Sequence, residues 1–152
     1  MNISTVEGKL QFIYTTDEYD VSREKVIINL TNLARKYLEL PYSIEVEFAK
    51  LADSSHADTL LNPRFQNRVR LQRTLSSKEV IIPYLHELIH VSQIHKKILV
   101  PYRNFVVSWK GKVYNLDKEL SYSEYQSLPW EADVTNRLPS LVSNILHSAG
   151  LK

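Results

Sequence analysis

"YLHELIHVSQ", residues Tyr84–Gln93, is the stretch on which the reading of this chain turns. His86 and His90 stand four apart, and Glu87 follows directly on the first. On an α-helix, residues four apart lie one turn above each other on nearly the same face. The two imidazoles can then each aim a nitrogen at one point, at the ~2.0–2.1 Å typical of a zinc–nitrogen bond. Glu87 is turned about 100° from His86. It is poorly placed as a third ligand, but it can hydrogen-bond a water held by the metal. Zinc lowers the pKa of such a water to ~7, and a neighbouring carboxylate can take its proton as it attacks a carbonyl. Each of the three fixed positions has a mechanical reason. The plainer alternative is an amphipathic helix whose histidines edge the core and whose glutamate is solvated, since a motif alone is a hypothesis.

The flanks predict a helix. Ser76 and Glu79 form an S-x-x-E capping box, and Ile81, Tyr84, Leu85, Leu88, Val91 and Ile98 make an apolar stripe. Pro83 predicts a kink or a late helix start, and Pro101 the close of the segment. Upstream, residues 9–14 alternate weakly as a short strand. Residues 22–40 carry apolar positions at helical spacing up to Pro41. Residues 42–51 and 68–75 alternate as strands, with a polar loop between them. Downstream, "NFVVSWKGKVYNL" reads as a hairpin turning at Lys110-Gly111. From Ser127 the chain reads as helical, with Pro129 at a first helical position and Pro139 splitting or bending the remainder. The order helix, strands, helix, hairpin, helix predicts an α+β fold.

Composition narrows the function classes. The 152 residues suit one domain, and 43% hydrophobic with 24% charged residues is the balance of a globular protein. A net charge of +2, with acids and bases interleaved, predicts neither a nucleic-acid nor a membrane partner. There is no cysteine, which removes disulfides, thiolate nucleophiles and Cys-ligated zinc. Three glycines, at 8, 111 and 150, exclude glycine-rich phosphate loops. With no basic-then-apolar leader and no apolar run of about 20 residues, the expected location is the cytoplasm.

A catalytic zinc needs a third protein ligand and an open position. His95 lies about 140° round the helix from His90 and is turned away. Gln93 and Lys96 break the longer pattern of three histidines. Glu131, in "LPWEADVTNRL", sits in the first turn of the next predicted helix. Helix N-termini favour acidic residues in any case, but a glutamate on a second helix is also what a His₂Glu site requires. Tyr114, Tyr122, Tyr125 and Arg137 lie near Glu131 in sequence and are candidates for contacts to a developing oxyanion or to substrate. Trp109 and Trp130 read as core aromatics. Asp53, His56 and Asp58 match no zinc spacing and read as a solvated loop.

"HELIHVSQ", the "WKGKVY" hairpin and "PWEAD" together resemble the small gluzincin-type metallopeptidases, which include compact zincin-like proteins of bacteriophages and bacteria. The resemblance covers roughly residues 42–147. It implies a single zincin-like domain over 1–152, with a small, mostly antiparallel sheet on an active-site helix and a C-terminal helix carrying the third ligand. It also implies one zinc ion held by His86, His90 and Glu131, with Glu87 as general base and a peptide or protein as substrate. Residues 68–75 or the Trp109 hairpin would supply the sheet edge for an extended peptide. Many members carry an aspartate four residues after the third ligand, bonded to a zinc-bound imidazole. Here that position is Thr135, and Asp133 lies about 200° round the helix from Glu131, turned from that task. A zincin fold that binds a partner or acts structurally, without turnover, is the second reading.

Overall fold

The computed structural model describes residues 2–5, 8–14, 20–52, 55–61, 67–103, 105–116 and 121–149. In chain order these form β1 (Asn2–Thr5), β2 (Gly8–Tyr14), α1 (Val21–Ala34), β3 (Ser43–Ala49), β4 (Ala57–Thr59) and β5 (Arg68–Gln72). Then follow α2 (Ile81–His95), β6 (Leu99–Arg103), β7 (Val106–Trp109), β8 (Lys112–Asn115), α3 (Tyr122–Gln126) and α4 (Pro129–Ser148). The architecture is α+β.

The larger sheet has the order β1-β2-β3-β5-β4. Its centre is parallel, β2 with β3 and β3 with β5, and only the outer pairs β1–β2 and β4–β5 are antiparallel. The expected mostly antiparallel sheet is corrected here. The connection from β2 to β3 runs through α1, and a helical crossover returns the chain in the same direction. In β3, Ile44, Val46 and Phe48 are buried on one face. On the other face Arg68 bonds Glu45 at 3.3 Å and approaches Glu47 at 3.6 Å. The second sheet, β6-β7-β8, is wholly antiparallel. Its last turn is the expected one, with Lys110 at φ 49° and Gly111 at φ 87°, the two positive φ values of a two-residue hairpin.

Helix α2 is the axis of the core. Leu85, Leu88, Ile89 and Val91 are fully buried, against β-strand residues such as Val46, Val69 and Leu71 and against α1 and α4. Tyr84, also fully buried, donates its hydroxyl to Thr31 of α1 at 2.7 Å, and Thr31 in turn donates to the Ile27 carbonyl. The capping box forms, with Ser76 Oγ accepting from the Glu79 N–H and Glu79 Oε1 from the Ser76 N–H. The helix proper starts late, at Ile81, so Pro83 is its third residue, where no intrahelical N–H bond is lost.

Three further expectations are corrected. Helix α2 stops at His95, because Lys97 takes φ 61° and the Ile98 N–H turns back to the Gln93 carbonyl at 3.0 Å, a Schellman stop made without glycine. Pro101 therefore lies inside β6 rather than closing a helix. Helix α1 ends at Ala34, not near Leu40, although Leu38 stays buried in the following turn. Of the two expectations for Pro139, to split or to bend the helix, splitting is excluded, since α4 runs unbroken from Pro129 to Ser148. The stretch read as loop contains β4, so β5 is an interior strand and β4 is the edge.

A smaller cluster of Leu99, Val107 and Trp130 lies under the second sheet, with Tyr114 edge-on to Trp130 at 5.3 Å. It seats the first turn of α4, with Pro129 at its start as expected. Among the described residues, no helix is long and apolar enough to cross a membrane.

Candidate metal centre

The packing of α4 on α2 carries Glu131 to the two histidines. Trp130, 1% exposed, locks the start of α4 into the smaller cluster, and the next side chain emerges towards α2. Glu131 Oε2 lies 2.9 Å from His90 Nε2, and Oε1 lies 3.3 Å from His86 Nε2. The imidazole rings are 5.2 Å apart, inclined at 64°. Each of the three residues offers a ligand atom, all within 4.8 Å of one another. Tetrahedral ligands ~2.0–2.1 Å from a zinc ion stand roughly 3.3 Å apart. The two Glu131 oxygens stand near that spacing from the imidazole nitrogens, and the three residues together could hold a metal ion.

Glu87 stays outside this set. Thr59 Oγ1, from the edge strand β4, donates to Glu87 Oε1 at 2.8 Å, and Glu87 Oε2 lies 3.9 Å from His86 Nε2. One oxygen is tethered and the other faces the ligand cluster.

The electrostatics follow from burying four ionisable groups together. Burial is the largest influence on Glu87 and raises its pKa above the ordinary carboxylate range, against the opposing pull of His90 and His86. Burial also acts upward on Glu131, but its hydrogen bonds with His86 and His90 outweigh it and bring the carboxyl down to about 2. For His90, burial acts downward and is outweighed by the hydrogen bond to Glu131 and the charges of Glu87 and Glu131, so its pKa is raised.

The centre opens into a cleft of about 670 Å³ whose walls include His56, Asp58, Ile82, Pro83, Tyr122 and Tyr125. Helix α3, not foreseen from sequence, brings in the two tyrosines. Its start is fixed by a capping box between Ser121 and Glu124. Tyr125 donates its hydroxyl to Glu131 Oε2 at 3.2 Å, and burial raises its pKa, aided by the nearby carboxylates. Tyr122 lines the same cleft and accepts a hydrogen bond from Gln126 at 2.6 Å. The other two candidates stand elsewhere. Tyr114 packs on Trp130, and Arg137 pairs with Asp133 at 3.2 Å. Asp58 is held by Arg70 Nε and Nη2 at 2.8 and 2.6 Å, His95 is exposed, and Asp53 lies outside the described residues.

Two residues in contact with the centre were not singled out from sequence. Thr59 lay in a stretch read as loop, with no signal to mark it. Gln93, whose Oε1 lies 2.9 Å from His90 Nδ1, did carry one. It follows His90 by three residues, so it shares the face of α2 on which that histidine lies.

Comparison with protein-family models, curated proteins and solved structures finds no match for the chain.

Proposed function

We propose that this chain is a zinc-dependent peptidase of the gluzincin kind, with a zincin-like fold. The observation that carries the reading is the approach of Glu131 to both histidines, at 2.9 and 3.3 Å from their Nε2 atoms. A third ligand on a separate helix is the part of a His₂Glu site that chance occurrence of the H-E-x-x-H spacing does not supply. His86, His90 and Glu131 would hold the ion. Bound there, zinc would polarise a substrate carbonyl and acidify a water.

The remaining chemistry belongs to the chain. Glu87 Oε2 receives the proton of the attacking water and passes it to the leaving amine, while Thr59 holds Oε1 and fixes the carboxylate plane. Its burial raises its proton affinity above that of an ordinary carboxylate, the direction a general base requires. Tyr125 donates its single hydroxyl hydrogen to Glu131 Oε2, and would be suited to a carbonyl oxygen that gains charge only on turning from that carboxylate into the cleft it lines. Strand β4, an edge of the sheet among the described residues and in contact with α2, suits the addition of an extended peptide.

The test is Glu87→Ala assayed on a mixture of unstructured peptides. We expect zinc binding to persist and hydrolysis to fall by about 10²–10⁴-fold, the usual contribution of a general base. Unchanged activity in that variant would overturn the peptidase reading in favour of a zincin fold that binds or scaffolds without turnover.

A further inference from the structure

Behind His90 runs a chain of polar contacts, buried at His90 and Gln93 and half-buried at Asp133 and Arg137. Gln93 is 1% exposed and His90 5%. The Gln93 amide nitrogen donates to the Trp130 carbonyl at 3.0 Å and to Asp133 Oδ2 at 2.9 Å. Asp133 Oδ2 also accepts from Arg137 Nη1 at 3.2 Å. A primary amide has two N–H groups, and here both are taken by groups that only accept. The Gln93 carbonyl oxygen is therefore the atom that faces His90. A carbonyl oxygen cannot donate, so His90 Nδ1 must carry a hydrogen and donate it across the 2.9 Å contact. That leaves Nε2 as the nitrogen that meets Glu131 and would meet a metal.

From this we infer that Gln93 is the positioning residue of the metal centre, in a relay Arg137–Asp133–Gln93–His90 that fixes which imidazole nitrogen faces the ion. The inference rests on the zinc reading for its functional meaning, but the proton assignment does not need the metal. The relay does two things. It sets the tautomer and ring angle of His90, as a carboxylate or carbonyl does behind metal-bound histidines in general. It also pins the first turn of α4 through the Trp130 carbonyl, one residue before Glu131, so one amide aligns two of the three ligands. Asp133, turned away from the histidines on α4, acts through Gln93 rather than on an imidazole directly. Arg137 belongs to this relay and not to the substrate cleft.

The test combines spectroscopy with zinc affinity. In long-range ¹H–¹⁵N spectra of metal-free protein, His90 should show a proton on Nδ1 that is protected from exchange. Gln93→Met should lose that protection and Asp133→Ala should keep it. On zinc loading, the wild-type spectrum should keep the Nδ1 proton and show Nε2 as the coordinating nitrogen. In competition with a chromogenic chelator near neutral pH, Gln93→Met should bind zinc about 10–100-fold more weakly than wild type. Asp133→Ala should lie between the two. An unprotonated His90 Nδ1 in the wild type would overturn the relay, as would undiminished zinc affinity in Gln93→Met. A wild type that shows the Nδ1 proton but takes up no zinc would leave the relay standing and defeat the metal reading. If Gln93→Met does not fold, the wild-type spectra and Asp133→Ala decide the matter, and unprotected Nδ1 exchange in the wild type counts against the relay.

Discussion

At the scale of single residues, the His90–Glu131 contact makes the metal-free protein sensitive to pH in a defined direction. His90 binds its proton more tightly in the folded chain than the ordinary value of about 6.5. Its contribution to stability is therefore complete below that value and is lost as pH rises through the higher folded one. Glu131 runs the other way, with a contribution complete above about 4.5 and lost as pH falls towards about 2. Both act together only in the window between, around pH ~5.5. Glu131→Gln should cost the metal-free protein roughly 1.5–3 kcal/mol there, the range for a hydrogen bond to a charged group. The difference should shrink at alkaline pH, once His90 has lost its proton. Urea unfolding of both proteins across pH measures it, and a pH-independent difference would contradict the pairing. The gathering of His86, His90 and Glu131 was legible in the sequence, the two histidines from helical period and Glu131 from the chemistry of a third ligand. Thr59 and the role of Gln93 were not, because both depend on which element lies across from α2, and periodicity along one segment does not encode that.

At the scale of elements, local rules succeeded where they concern one segment and failed where tertiary contacts compete. The Pro129 start of α4 and the Lys110-Gly111 turn formed as read, whereas the Ser76–Glu79 box formed but closes a turn ahead of α2, whose own N-cap is Val80. The end of α2 did not, because a lysine occupies the left-handed position that glycine usually signals. That site yields a paired prediction. Lys97→Gly should raise stability by about 1 kcal/mol, relieving the strain of a side chain at φ 61°. Gly111→Ala should lower it by about 1–2 kcal/mol. A methyl there would meet nothing within 4 Å, so the cost is purely one of backbone conformation at φ 87°. Chemical denaturation of the two variants checks both signs, and equal effects in one direction would count against the assigned turn geometries. The short strand β4 escaped detection because three residues are too few to show alternation.

At the scale of the whole molecule, the α+β class was legible from the order of periodic segments, whereas strand direction was not carried over correctly. The antiparallel expectation came with the resemblance, while the strand–helix–strand order of β2, α1 and β3 already favoured a parallel centre. What the fold achieves is convergence. The larger core buries α2 between sheet and helices, the smaller cluster seats the start of α4, and the two together bring three ligand atoms within 4.8 Å. A ligand that binds only the folded state stabilises it by mass action, by about 4 kcal/mol at a thousand times its dissociation constant. The most direct measurement of the central claim is therefore calorimetric titration of zinc into metal-free protein, with melting recorded before and after. Wild type and Glu87→Ala should each take up one zinc per chain and melt at a higher temperature, while His90→Ala and Glu131→Ala should do neither. No uptake by the wild type, or uptake undiminished in Glu131→Ala, would contradict it.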